Sequence, residues 1–549
     1  MTAQALGTDI KEDVMVLTRR SFMATTASAV AAAGYASQAG AQQAPSDTIR
    51  IAFAARGNRT LDPAASIQGA DNWSITHIHD VLVTSPPGTF ATKPEEFVPQ
   101  LAKSWTMSPD AKTWTFQLRE GVQFHKGYGE MTSEDVVFSL QRAGDPKAGG
   151  GNRALFDNIA EVKANGKYSV VVSLKTPDPL FIGGTIQDYS CVILSKKAVT
   201  EKGENIGRDP IGTGPYEFVS LDPDPSKGIM MTANATWWGG KAATKNLHVM
   251  YILDTTARTL ALLSGTVHMI EGVRAPGWTQ SIQQKNPSLQ FDVAAPGSLF
   301  TMHFNMSRKP LDDIRVRRAF AHAIDRDAIA KAMAPISRRT WGLNAPGFPG
   351  GLTTEQVPAE LRYAFDPAKA KALLAEAGFP NGFAMEAYTS QREDYKSVML
   401  IVQELMRKVG VTINMQVIDH TTFHANNRKD MNTLPQNSSA YPPVPALPLG
   451  DNLAKSSEVK ADGSGGTNYS HYGVLIPGID QILDEAGNEP DFNKRLAIIQ
   501  RAEKKVMEDL PLIPISTNGY LIVRDPKVKL GYEVKGGYAF WPLYKATIA

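Results

Sequence analysis

His77-Ile78-His79-Asp80 sets two imidazoles two residues apart beside a carboxylate. On a strand both rings would share one face, an arrangement that can open a metal site. No third ligand at supporting spacing is visible, so the pair reads as satisfied or exposed histidines and no metal site is assigned. The single cysteine, Cys191, opens the apolar run Cys191-Val192-Ile193-Leu194, which reads as a strand with a small buried hydrophobe rather than a nucleophile. Glu95-Glu96 and Asp312-Asp313 read as caps or turns, not as acid/base pairs. Arg315, Arg317 and Arg318 lie near Asp312, Asp313 and Asp325 and read as local ion pairing. No H-E-x-x-H, P-loop lysine or G-x-S-x-G motif occurs. Nothing here warrants an enzyme, a catalytic residue or a cofactor.

The whole chain sets the frame for these residues. Its 549 residues leave room for about three or four domains at roughly 150 residues each. A formal charge of +2 gives no general pull toward nucleic acid or anionic lipid. No apolar run reaches the ~18 residues that a membrane helix needs. One cysteine excludes an internal disulfide, a multi-thiolate metal site and a lipid-modified cysteine near the N-terminus.

Residues 1–41 read as an address rather than a fold. A polar start leads to Thr18-Arg19-Arg20-Ser21-Phe22-Met23, a mild Ala/Ser/Thr-rich stretch follows, and Ala39-Gly40-Ala41 offers a processing site. The paired arginines resemble a twin-arginine signal, which predicts a soluble periplasmic product.

Beyond the leader the pattern mixes α and β. Residues 49–53, 114–118, 168–174, 247–253 and 300–304 read as strands. Residues 315–333, 398–409 and 492–510 carry apolar residues at helical spacing, and Asp366-Pro367 to Ala377-Gly378 brackets another helix. Gly149-Gly150-Gly151 and the Pro-, Ser- and Gly-rich stretch 434–467 read as loops, the longer one functional or mobile.

Pro99-Gln100-Leu101-Ala102-Lys103-Ser104-Trp105, residues 114–125 and residues 132–138 resemble one family, the extracytoplasmic solute-binding proteins of peptide and nickel ABC importers (the dipeptide/oligopeptide type, family 5). Asp209-Pro210-Ile211-Gly212-Thr213-Gly214-Pro215-Tyr216 resembles its most recognisable signature, and its glycines suit unusual backbone angles around a fixed turn. Residues 234–238, 260–265, 303–305, 310–317, 323–326, 365–383 and 495–514 follow in the family's order. The resemblance implies an α/β, two-lobed periplasmic-binding-protein fold of type II, in the large cluster with an extra inserted domain. Lobe I would take residues 45–85, 211–300 and 515–549, the inserted small domain 86–210, and lobe II 301–514. Residues 300–305 and 511–516 would be the hinge crossings.

The ligand segment departs from the family. In peptide-binding relatives a carboxylate there holds the peptide ammonium. This chain reads Asn437-Ser438-Ser439-Ala440-Tyr441-Pro442-Pro443, with no acid between Asp430 and Asp451. Leu61-Asp62-Pro63 is kept, but the next ligand-facing position is Gln68. An unpaired buried ammonium is costly, so a free-amine peptide is disfavoured. Gln68, Asn437, Ser438 and Tyr441 suit a neutral, hydroxyl- or amide-rich ligand; Trp341 and Arg339 could add stacking and anion contacts, and Tyr388 and Ser390 contacts from a second-lobe strand. The resemblance thus implies a monomeric, non-enzymatic substrate-binding component, without cofactor or nucleic-acid partner. It would capture a peptide, a peptide-like molecule or a neutral polar conjugate and deliver it to an ABC permease and ATPase complex at the inner membrane. Two alternatives stand beside it: a secreted hydrolase or peptide chaperone on the same scaffold, and a nickel or metallophore receptor using His77 and His79.

Overall fold

The computed structural model describes residues 47–66, 68–148, 153–441, 443–536 and 542–548. The leader and Gly149-Gly150-Gly151 lie outside the described residues. In chain order the elements that position the site are β1 (Thr48–Phe53), α1 (Gly69–Ile78), β2 (Asn246–Tyr251), β3 (Met269–Glu271), β4 (Gln290–His303), β5 (Phe383–Ser390), α2 (Glu393–Lys408), β6 (Val411–Ile418), α3 (His420–Arg428), β7 (Gln436–Ala440), α4 (Phe492–Asp509) and β8 (Leu512–Arg524).

β1 is buried on both faces, as a central strand must be. Ile49, Ile51 and Phe53 pack into one apolar core and Ala52 into another behind it. β1 runs parallel to β2 on one side and β3 on the other. The nine-stranded sheet continues through β8 and β4 to β7, with Ser337–Arg338 added along β8. β4 and β8 pair antiparallel for most of their length. They pass from one core to the next. Ala294 of β4 and Leu521, Ile522 and Val523 of β8 belong to the cores around β1, whereas Leu299, Phe300, Met302, Ile513 and Ile515 belong to a second core with β5, α2, β6 and α4. A further core drawn from residues 82–211 fills a four-stranded antiparallel sheet and the helix Ser133–Gly144.

Several expectations need correction. His77 and His79 are not on a strand. His77 lies in the last turn of α1, its Nδ1 against Trp73 O (2.8 Å) and its Nε2 accepting from Leu543 N (3.0 Å). The helix expected over 315–333 is two, Ile314–Ala323 and Arg326–Ala332, because Asp325 turns out and caps the second by accepting from Ala328 N (2.9 Å). Arg315 pairs with Asp313 (2.6 Å), but Arg317 is buried and donates to the carbonyls of Leu311, Asp312 and Asp509. The stretch 434–467 is not one loop: Asn432 and Thr301 anchor β7 inside it, and Ala446–Leu453 is helical. Cys191 ends a 3-10 turn rather than opening a strand, and burial pushes its thiol pKa up. Gly212 and Gly214 serve close approach rather than unusual angles. A Cβ at either would meet Ile78 O, at 2.0 and 2.7 Å, where the chain crosses the end of α1.

Candidate functional site

Ligands of parallel α/β sheets gather beyond the carboxyl ends of the strands, where loops and helix N-termini converge. β1, β2 and β3 share such an edge. The loop after Phe53 folds over it and two carboxylates pin it. Asp71, in the first turn of α1, accepts from Asn58 Nδ2 (2.8 Å), Arg59 N (3.0 Å), Thr60 N (3.3 Å), Gln68 Nε2 (3.1 Å) and Tyr251 OH (3.3 Å). Burial raises the Asp71 pKa, and the Arg59, Thr60, Asn58 and Tyr251 donors work against that rise. Glu271, at the end of β3, accepts from Ala54 N (2.9 Å) and bonds Tyr520 of β8. Arg274 lies 5.9 Å over the Tyr520 ring.

A second carboxyl edge belongs to β5 and β6, which are also parallel. Ser390 ends β5, and its Oγ lies 2.8 Å from His420 Nδ1 and accepts from Arg392 N (3.1 Å). The half-exposed Arg392 guanidinium donates to both oxygens of Asp394 (3.1 and 2.7 Å) and reaches His420 Nε2 at 3.4 Å. Burial, with Arg392 next, lowers the His420 pKa, so the ring is neutral near neutrality. Burial opposes the Arg392 charge, but Asp394 outweighs it and Glu271 adds to that support. Because Glu271 sits at the end of β3, its field on Arg392 places the ends of β3 and β5 within electrostatic reach of each other.

The strands between them form the floor. Ser438 Oγ donates to Ser298 Oγ (3.2 Å), and the Phe300 ring meets Tyr395 edge-on at 5.3 Å. Two further contacts run from the region of residues 82–211 to the elements after β4. Phe90 stacks on Phe348 at 4.9 Å, and Arg495 of α4 pairs with Asp178 at 3.3 Å. A cavity of about 250 Å³ near Gly183, Trp237 and Trp238 is closed in part by Pro443, just past β7.

Gln68, Ser390 and Ser438 therefore fall on the edges and the floor. Gln68 is committed to Gly57 O (2.9 Å) and Asp71, so it holds the loop in place. The backbone of Tyr388 is clamped by Asn432 (both bonds 3.0 Å), and its ring packs on the second core. Asn437 accepts from Ser439 Oγ (3.1 Å) and is buried in β7. Tyr441 OH accepts from Asn452 Nδ2 (2.9 Å), and burial raises its pKa. Arg339 and Trp341 engage each other instead. The Arg339 guanidinium lies 4.0 Å over the indole, pairs with Asp327 (2.5 Å) and donates to Arg362 O (2.9 Å), while Trp341 Nε1 donates to Thr354 Oγ1 (3.1 Å). Pro442 lies outside the described residues. The sequence reading missed Glu271, Arg392, Asp394 and His420. The boundary between the apolar run 383–390 and the helix after it, taken with the carboxyl-end rule, points to Arg392. Among the described residues, no three His, Cys, Asp or Glu side chains converge as metal ligands.

Two α/β bodies with carboxyl edges within electrostatic reach of each other, joined by long crossing strands, define a periplasmic-binding-protein fold. Residues 96–456 match the bacterial extracellular solute-binding proteins, family 5 middle, and the chain belongs to that family. It is 28% identical to the dipeptide-binding protein of Escherichia coli K12 over 487 residues, 82% of this chain and 85% of that one. It is 25% identical to heme-binding protein A of Haemophilus influenzae over 531 residues, 89% of this chain and 90% of the other. Among solved structures, MoaA from A. tumefaciens R10 in complex with mannopinic acid is 29% identical, with a TM-score of 0.76, 91% of this chain and 99% of that chain covered.

Proposed function

We propose that this protein is the substrate-binding component of an ABC importer. It holds a neutral polar solute, or a peptide-like conjugate that carries an anionic group, between the two carboxyl edges. The observation that carries this reading is Arg392, half-exposed at the end of β5 and paired with Asp394, with the neutral Ser390 hydroxyl and His420 imidazole around it and Glu271 of the other edge within electrostatic reach. The segment at β7 offers no carboxylate for a free amine, since none lies between Asp430 and Asp451. The named relatives bind dipeptide, heme and mannopinic acid, so the scaffold takes chemically diverse cargo. Residues 45–85, 211–300 and 515–549 form lobe I, 86–210 the inserted domain and 301–514 lobe II, and the lobes close over the ligand as a monomer that docks on a permease. Arg19-Arg20 and the weakly apolar stretch after them support export to the periplasm by the twin-arginine route.

The test is mass spectrometry of the purified protein, native and then denatured, to release and identify what the cleft retains. A sugar-, opine- or amide-rich molecule is expected. A ladder of free-amine peptides would overturn the ligand class, and hydrolysis of an added peptide or ester would overturn the receptor reading.

A further inference from the structure

We propose a second binding site, for a small organic anion, on the opposite face of the crossing strands. A chamber of about 440 Å³ lies there, within the range of small-molecule sites. Among the described residues its cations are Arg338, Arg339 and Lys535, and no carboxylate lines it. Arg338 pairs in register with Thr517 of β8, so both side chains leave the same face of the sheet. Ser516 and Asn518 leave the other, the face that carries Ser298 and Ser438. The chamber thus opens on the other face of these strands, although Thr89 and Phe90 also line the cavity near Trp237 and Pro443.

The charges around it are unequally matched. Arg339 is held by Asp327 (2.5 Å), yet its Nε is buried with no hydrogen-bond partner among the described residues. Lys535 pairs with Glu533 at 3.4 Å, and both are largely exposed. The exposed Arg338 has its carbonyl near Thr517 Oγ1 (3.5 Å), but its guanidinium enters no hydrogen bond or ion pair among the described residues. A free guanidinium fork matches the oxygens of a carboxylate or phosphate. Phe90 and Phe348, stacked at 4.9 Å with planes 14° apart, close one wall and offer an apolar surface to the rest of the molecule. The wall comes from chain segments far apart in sequence, around residues 89–92, 295–296, 338–348 and 535–536, so an occupant would tie them together.

The experiment is isothermal titration of the purified protein at low salt with citrate, glucose 6-phosphate, inorganic phosphate and, as the uncharged control, glucose. At least one anion is expected to bind while glucose does not. Citrate or glucose 6-phosphate as the tighter partner separates carboxylate from phosphate chemistry. Arg338→Gln should weaken binding at least tenfold and Lys535→Gln two- to threefold, with melting curves like the wild type. Arg392→Gln should leave it within twofold. No binding by any anion, binding indifferent to Arg338→Gln, or binding abolished by Arg392→Gln would each overturn the proposal. The Arg392→Gln and Arg338→Gln variants report on the two sites separately, so loss of anion binding here leaves the receptor reading standing, and loss of solute at the carboxyl edges leaves this site standing.

Discussion

The two carboxyl edges solve the same geometric problem with opposite chemistry. On the β1–β3 edge the carboxylates of Asp71 and Glu271 are consumed by the chain's own donors, the Ala54, Arg59 and Thr60 amides and the side chains of Asn58, Gln68, Tyr251 and Tyr520. On the β5–β6 edge the charged group is a cation that shares one carboxylate and keeps nearly half its surface exposed. A buried acceptor that holds several donors is costly to remove, whereas a half-exposed ion pair contributes little to folding. One edge is therefore scaffold, and on the proposed reading the other is the edge that meets the cargo.

Replacing Asp71 with Ala should break the scaffold edge. It strands the Arg59 and Thr60 amides, Asn58 and Tyr251 OH, and should cost about 2–4 kcal/mol in urea unfolding. Arg392→Gln should move unfolding by no more than about 0.5 kcal/mol. The same variant should lower ligand affinity about tenfold, which is ~1.4 kcal/mol by titration calorimetry. Equal losses of stability for both variants would erase the distinction between the edges.

Glu271→Gln sharpens it further. The amide oxygen can still accept from Ala54 N, but the negative charge within reach of Arg392 is gone. Anionic analogues of the ligand should bind about 0.5–1 kcal/mol tighter, an advantage that shrinks with added salt. The smallest effect concerns pH. The folded His420 pKa lies below its ordinary 6.5 because of burial and Arg392. The unfolded chain therefore takes up the proton first, and stability falls as pH drops from about 6.5 toward the folded value. His420→Asn should flatten that acid limb relative to the wild type in urea titrations at pH 7 and pH 5. A steeper limb would mean that the ring is protonated in the fold.

Much of the scaffold was legible because local signals agreed with the global fold. The apolar core of β1 and the helix Pro367–Glu376, capped by Asp366 through Lys369 N, follow from pattern and capping alone. Failures came where tertiary contacts decide. Asp325 interrupts a helical apolar pattern, and β7 is a strand because β4 pairs with it, although its residues are polar. Gln68, Ser390 and Ser438 came from the resemblance. Arg392 was missed because an exposed arginine after a strand looks like any solvated charge, and Glu271 because β3 has only three residues. Nothing local shows that the two edges come within reach of each other; that is a property of the crossing strands.

The most direct measurement is amide hydrogen exchange on the wild-type protein, stripped of ligand and then reloaded with the compound recovered from it. The account predicts that reloading slows exchange in residues 54–60 and in residues 390–395 and 419–424 together, with little change in 338–348. Protection confined to 338–348, or to only one of the two edges, would contradict it.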